Sequence, residues 1–166
     1  MVKINYTYGR GHGKNFAFKP VHELTQEEKE KIIEKGNLSI KSKLAIATTL
    51  LAFKNEDKVY VDEMVSQLKH LYKDEYTTKV ILRRIYTGRY GYGSFVTTHN
   101  LFRLFREEIY DKKLKKKVFR GAGNRFMPGG KYFIKLTMRG KKFLERGTAD
   151  LYYDTIMNTP KYRNKL

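Results

Sequence analysis

The sequence contains no cysteine, which excludes disulfides, thiolate metal sites and a cysteine nucleophile. Long hydrophobic runs are also missing. A membrane-spanning helix needs ~18 consecutive apolar residues, and the longest candidate, Leu44 to Phe53, is interrupted by Thr48 and Thr49. The first stretch, Met1 to Gly13, is polar and glycine-rich without an apolar segment, so secretion is not indicated. A cytoplasmic location is expected, nucleoid-associated in a cell or in the host cytoplasm for a mobile element. Histidine is sparse: His12, His22, His70 and His99 are scattered, with no two at a metal-ligand spacing such as i, i+4. Acidic residues are few as well, 17 against 35 Lys and Arg. The adjacent carboxylates Asp62-Glu63, Asp74-Glu75 and Glu107-Glu108 point apart on a helix, which suits capping and surface pairing better than acid/base catalysis. Among 13 tyrosines, no arrangement marks one as a nucleophile. These absences point to a protein that is not an enzyme and that uses no metal or cofactor.

What is abundant is positive charge. The 166 residues are 40% hydrophobic, enough for one domain with its own core, yet they carry a formal charge of +18. Excess cation repels itself and adheres to polyanions, so an anionic partner fits better than a purely solubilising role. Nucleic acid is the commonest such partner.

Residues 1–20 read as a flexible basic arm, in which Gly9-Arg10-Gly11-His12-Gly13-Lys14 suits phosphate or groove contact as well as a plain disordered terminus. Asn15 after Lys14 departs from the Gly-Lys-Ser/Thr ending of a phosphate loop. Residues 21–147 form the expected domain and 148–166 a C-terminal extension. The capping box Thr25-Gln26-Glu27-Glu28 predicts a helix from about Gln26 to Lys35, stopped by Gly36. Ser39 offers a second N-cap, for a helix to about Lys54 with Ile40, Leu44, Ala47 and Leu51 on one stripe. Lys58 to Val61 reads as a short strand, followed by a helix with Val61, Met64, Val65, Leu68 and Leu71 at helical spacing. A further helix is expected from Tyr76 to Thr87 and is broken by Gly88-Arg89-Tyr90-Gly91-Tyr92-Gly93-Ser94. Thr97 or Thr98 can cap another, roughly Thr98 to Tyr110, turning Leu101, Leu104, Phe105 and Ile109 inward. The pattern then changes period. Lys115 to Arg120 and Lys131 to Thr137 alternate, with Tyr132, Ile134 and Leu136 on one face and Lys131, Phe133 and Lys135 on the other. Between them lies a glycine-rich tip, Gly121 to Gly130, so the two are expected to form one hairpin. A short helix from Met138 to Arg146 follows, and Leu151 to Met157 is amphipathic as helix or strand.

The run Lys131-Tyr132-Phe133-Ile134-Lys135-Leu136-Thr137-Met138-Arg139-Gly140-Lys141-Lys142-Phe143-Leu144 resembles the second wing strand and closing helix of the winged helix-turn-helix superfamily, whose pattern is Tyr-x-Leu-Thr-x-x-Gly-x-x-Leu. The resemblance covers about Lys58 to Arg146. It implies an α+β, mainly helical fold with a winged helix-turn-helix core, a glycine-rich β-hairpin wing and extra N-terminal helices. It also implies that one helix enters the major groove of duplex DNA while the wing tracks phosphates.

Two helices compete for the groove. Family order sets the reader directly before the wing, which selects the 98–110 helix with Thr97, Thr98, His99, Asn100, Arg103 and Arg106. If Val59 to Val61 is the family's first strand, the reader is the 76–87 helix, with Thr77, Thr78, Lys79, Arg83 and Arg84. Wing contacts fall to Lys117, Arg120, Arg125, Lys131 and Lys135, mostly by neutralising phosphates. Arg89 can add a phosphate contact beside Tyr90 and Tyr92, which stack on bases or simply pack on the core. The function expected is a sequence-specific DNA binder, a transcriptional regulator or an accessory factor in replication or packaging, working as a homodimer. An RNA-binding or ribosome-associated protein is the alternative, and a small nuclease or recombinase subunit the second alternative.

Overall fold

The computed structural model describes residues 3–5, 18–20, 23–36, 38–72, 74–87, 101–113, 115–119 and 132–166. The predicted arm contributes two short strands, β1 (Lys3–Asn5) and β2 (Phe18–Pro20), paired antiparallel with Lys3 opposite Pro20. Helix α1 (Gln26–Glu34) starts where the capping box placed it, with Thr25 accepting from the Glu28 backbone N–H at 3.2 Å. It ends at Lys35, and Gly36 turns the chain at a φ of +86°, a left-handed conformation that glycine adopts without steric cost. Helix α2 (Ile40–Ala52) starts at Ser39, which accepts from the Ser42 N–H at 3.1 Å.

A helix that is apolar around most of its circumference has to be surrounded. Leu44, Ala45, Ile46, Ala47 and Leu50 are all at most 1% exposed. Lys43 is buried with them, its ammonium donating to the carbonyls of Ile33 and, at 2.8 Å, of Lys35. Those carbonyls are orphan acceptors at the C-terminal end of α1, where a cation is favoured by the helix dipole. Burial nevertheless pulls the Lys43 pKa from 10.5 down to about 8.

After α2 come β3 (Val59–Tyr60), α3 (Val61–Leu68) and α4 (Glu75–Thr87), all near their predicted positions. Val61, Met64, Val65 and Leu68 of α3 are buried, as their spacing required. The next segment departs from expectation. The helix predicted over 98–110 is absent from its described part, which instead forms β4 (Phe102–Arg106) and β5 (Glu108–Asp111). Phe102-Arg103-Leu104-Phe105-Arg106 satisfies a two-residue period as well as a helical one, and tertiary packing decides between them. As a strand it buries Phe102, which lies between Phe53, 6.5 Å away between ring centroids, and Tyr86, 5.5 Å away.

The hairpin also departs from expectation. Strand β6 (Lys116–Phe119) pairs with β5 across a turn at 112–115, where Lys115 takes a φ of 53°. The strand β7 (Tyr132–Leu136) pairs with β3 on one side and β4 on the other, giving an antiparallel sheet of order β3-β7-β4. The predicted partners 115–120 and 131–137 thus belong to different sheets. The wider hairpin is β4 with β7, and it encloses the smaller β5–β6 hairpin.

Helix α5 (Met138–Glu145) then starts at Thr137, which accepts from the Gly140 N–H at 3.1 Å. Helices α6 (Thr148–Asn158) and α7 (Pro160–Arg163) follow. Helix α2 packs against α4, α5 and α6. Ala149, Leu151, Tyr152, Ile156, Tyr162 and Leu166 join Leu44, Leu82 and Ile134 in one hydrophobic core.

Gly140 permits a close crossing. The Thr137 N–H donates to the Leu101 carbonyl at 3.1 Å, and a Cβ at Gly140 would overlap that same oxygen and come within 2.9 Å of Leu136 Cδ2. Gly140→Ala should therefore destabilise the protein by about 1–3 kcal/mol in urea unfolding; an unchanged midpoint would show that α5 moves away freely. Lys43 yields a pH dependence. The unfolded chain holds this proton up to about 10.5 and the folded chain only to about 8, so between those values the unfolded state binds more protons. Stability should rise as pH increases from about 8 to 9.5, and Lys43→Met should flatten that rise.

Candidate nucleic-acid interface

Helix α4 is held at both ends by hydrogen bonds. At its start the Asp74 carboxylate accepts from the Thr77 N–H and from Thr77 Oγ1, the latter at 2.7 Å. The bond from the Thr77 backbone is the main reason the Asp74 carboxyl titrates below its usual range. Thr78 turns inward, fully buried, and its hydroxyl donates to the Asp74 carbonyl at 2.9 Å. Toward the C-terminal end, Tyr86 lies against α2, its hydroxyl 2.8 Å from Thr49 Oγ1, which itself donates to the Ala45 carbonyl at 2.7 Å. Burial keeps the Tyr86 phenol protonated well above its ordinary range.

With Thr78, Ile81, Leu82, Ile85 and Tyr86 buried, the opposite side of α4 presents Tyr76, Val80, Arg83 and Arg84. Tyr76 is 78% exposed, an unusual position for an aromatic ring. Lys79 flanks this face and pairs with Glu75 one turn earlier, which holds the Glu75 carboxyl below its usual range. The arrangement offers a ring, two guanidinium groups and a partly neutralised ammonium on a helix long enough to cross a groove.

The second exposed surface is the outer face of the sheet. Cross-strand register sets Tyr60 opposite Phe133 and Phe133 opposite Phe105, one aromatic on each strand in a single row. The Phe133 and Phe105 rings are stacked, with centroids 5.4 Å apart and planes at 14°, and Tyr60 meets Phe133 edge-on at 6.0 Å. Lys58 Nζ is 4.9 Å from the Phe133 centroid and 5.3 Å from that of Tyr60, and Lys135 Nζ is 5.8 Å from that of Phe105. Arg103 faces Lys135 in the next row and both are exposed. The alternate row, Val59, Ile134 and Leu104, faces the core.

The residues predicted from sequence divide accordingly. Arg103 and Arg106 are on a strand and not on a groove-reading helix, because burying Phe102 selects the extended form. Alternation sends them to opposite faces, with Arg106 5.9 Å from the Tyr132 ring on the inner side. Lys117 is on β6, Lys135 on the outer sheet face, and Lys79 and Arg83 on α4. Thr77 and Thr78, expected as readers if α4 entered the groove, serve the start of that helix instead. Thr97, Thr98, His99, Asn100, Arg89, Arg120, Arg125 and Lys131 lie outside the described residues, as do Tyr90 and Tyr92. The sequence reading missed Tyr76, Lys58, Tyr60 and Phe105. The signal available was Phe133 itself, which alternation had already placed on the polar face with Lys131 and Lys135.

Among the described residues no cluster of His, Asp and Glu is placed to hold a metal ion, and no helix is long and apolar enough to cross a membrane. Compared with protein-family models, curated proteins and solved structures, the chain matches none of them.

Tyr86→Phe removes the hydrogen bond that seats α4 on α2 while leaving Thr49 bonded to Ala45. A loss of about 0.5–1.5 kcal/mol in chemical denaturation is expected, and no loss would show that apolar packing alone positions α4.

Proposed function

We propose that the protein is a winged-helix DNA-binding protein in which α4 enters the major groove and the β4–β7 hairpin, with the β5–β6 hairpin it encloses, forms the wing. The observation that carries this reading is the element order α2, β3, α3, α4, β4, β7 combined with the strand order β3-β7-β4. The resemblance centred on Thr137 and Gly140 supports it, since the first caps α5 and the second lets that helix cross the chain at Leu101. Family order puts the reading helix before the first wing strand, and among the described helices α4 is the last before β4.

The division of labour follows from chemistry. Arg83 and Arg84 can each offer a guanidinium fork to a guanine edge, and Tyr76 a ring to a thymine methyl or a sugar. Lys112, Lys113 and Lys115, exposed at the β5–β6 turn, suit phosphate neutralisation, which carries no base information. A charge of +18 supplies the attraction that brings the duplex to both. Regulation of transcription, or assistance in replication or packaging, is the role that such a reader serves, and two copies on two half-sites is the arrangement we favour.

Selection from a random duplex library followed by binding of two variants tests this reading. Arg83→Ala should relax preference at one base position, by about 1–3 kcal/mol of discrimination. Lys112→Ala should weaken all duplexes alike and lower the slope of log K against log salt by about one. Equal effects of both changes on every sequence would remove α4 as reader.

A further inference from the structure

The outer face of the three-stranded sheet has chemistry that a duplex does not need. Three aromatic rings, one from each strand, form a continuous row, and the row ends at Phe105, which remains 39% exposed. Strand β4 is the last in the order β3-β7-β4, so the row is open at that side among the described residues. A folded protein gains little by leaving a phenylalanine ring in water, and the core-facing row Val59, Ile134, Leu104 already anchors the same three strands. The cations complete the pattern. Lys58 and Lys135 lie against the rings, Arg103 is beside Lys135, and no residue of β3, β4 or β7 is acidic.

Flat rings flanked by cations on an exposed sheet face match the chemistry of a nucleic-acid strand whose bases are unpaired. Its bases have π-faces that extend a ring stack, and its phosphates recur at the spacing of neighbouring side chains. In a duplex those π-faces are occupied by neighbouring base pairs. We propose that this face binds unpaired DNA, with one base stacked on Phe105 at the open end of the Tyr60-Phe133-Phe105 row and the flanking phosphates held by Lys58, Lys135 and Arg103. The proposal rests on the nucleic-acid reading above but is independent of α4 as the reader. A protein with both surfaces engages a junction, holding the duplex with one and the frayed strand with the other.

The test titrates the full chain with fluorescent oligothymidylate of about 12 nucleotides, a length set by the usual site sizes of such platforms. A blunt duplex of the same length and an oligouridylate form the second and third arms. The variants are Phe105→Leu, which keeps apolar bulk and removes the ring, and Phe105→Tyr, which keeps the ring, with circular dichroism as the check on folding. Phe105→Leu should weaken oligothymidylate binding roughly tenfold or more while Phe105→Tyr preserves it, and Phe105→Leu should cost the duplex far less than the single strand. Arg83→Ala should show the reverse preference. Three outcomes each overturn the proposal: oligothymidylate that does not bind, affinity indifferent to Phe105→Leu, or oligouridylate bound more tightly than oligothymidylate, which assigns the face to RNA. Loss of the Arg83 effect on duplexes alone strikes the α4 reading and leaves this one standing.

Discussion

Strand β7 constrains everything around it, because both of its edges are hydrogen-bonded and both of its faces are committed. The pleat alternates side chains, so Tyr132 and Ile134 can face the core only if Phe133 and Lys135 face away from it. Pairing with β3 and β4 carries the same parity outward, which is how Tyr60 and Phe105 come to join Phe133. The aromatic row is therefore a consequence of register as well as of composition. A slip of one residue would bury Phe133 and Lys135 and expose Ile134, exchanging a buried aliphatic contact for a buried charge.

The end of β7 is equally constrained. Thr137 bonds through its N–H to the Leu101 carbonyl and through its hydroxyl to the Gly140 N–H, so one residue ties the chain entering β4 to the start of α5. This explains in physical terms why a threonine and a glycine three residues apart carry the family resemblance. The threonine is a cap, and the glycine has no Cβ because a carbonyl oxygen occupies the space one would need. Helix α4 is joined to the same assembly through Tyr86 and Phe102, which touch ring to ring where the helix lies on the sheet. Helix α4 and the strand bearing Phe105 are thus positioned by one set of buried contacts.

Much of this was legible in the sequence, and the parts that were not share a cause. Caps and periods are local, and they placed α1, α2, α3, α4 and α5 to within a residue or two. The faces of β7 were correct for the same reason. Strand partners are not local. Lys115 to Arg120 and Lys131 to Thr137 both alternate, and nothing within either segment specifies which strand it joins; a four-residue turn captured 116–119 for β5 and left β7 to β3 and β4. The 98–110 prediction failed where two periods fit the same residues, and only the pocket between Phe53 and Tyr86 decides in favour of Phe102 pointing inward. That failure moved Arg103 from a groove-facing helix to the outer sheet face and turned Arg106 to the inner one, and the same missing register concealed the aromatic row.

The distribution of charge follows from the same packing. Acidic side chains are concentrated on the helices, where several meet cations directly: Lys31 with Glu27, Lys161 with Glu34, Lys54 with Asp150. Such exposed pairs add little to stability, but each removes a positive charge from the field on its side of the molecule. Tyr162 reinforces one of them by donating to Glu34 at 2.9 Å, and together with the Lys161 ammonium it keeps the Glu34 carboxyl below its usual range. Lys43, the one described lysine in the core, is used up at the end of α1. The strands β3, β4 and β7 contain no carboxylate, and Arg103 and Lys135 share their outer face. Carboxylate–cation pairs thus form on the helical side, while the outer face of the three-stranded sheet carries Lys58, Arg103 and Lys135 beside its aromatic row.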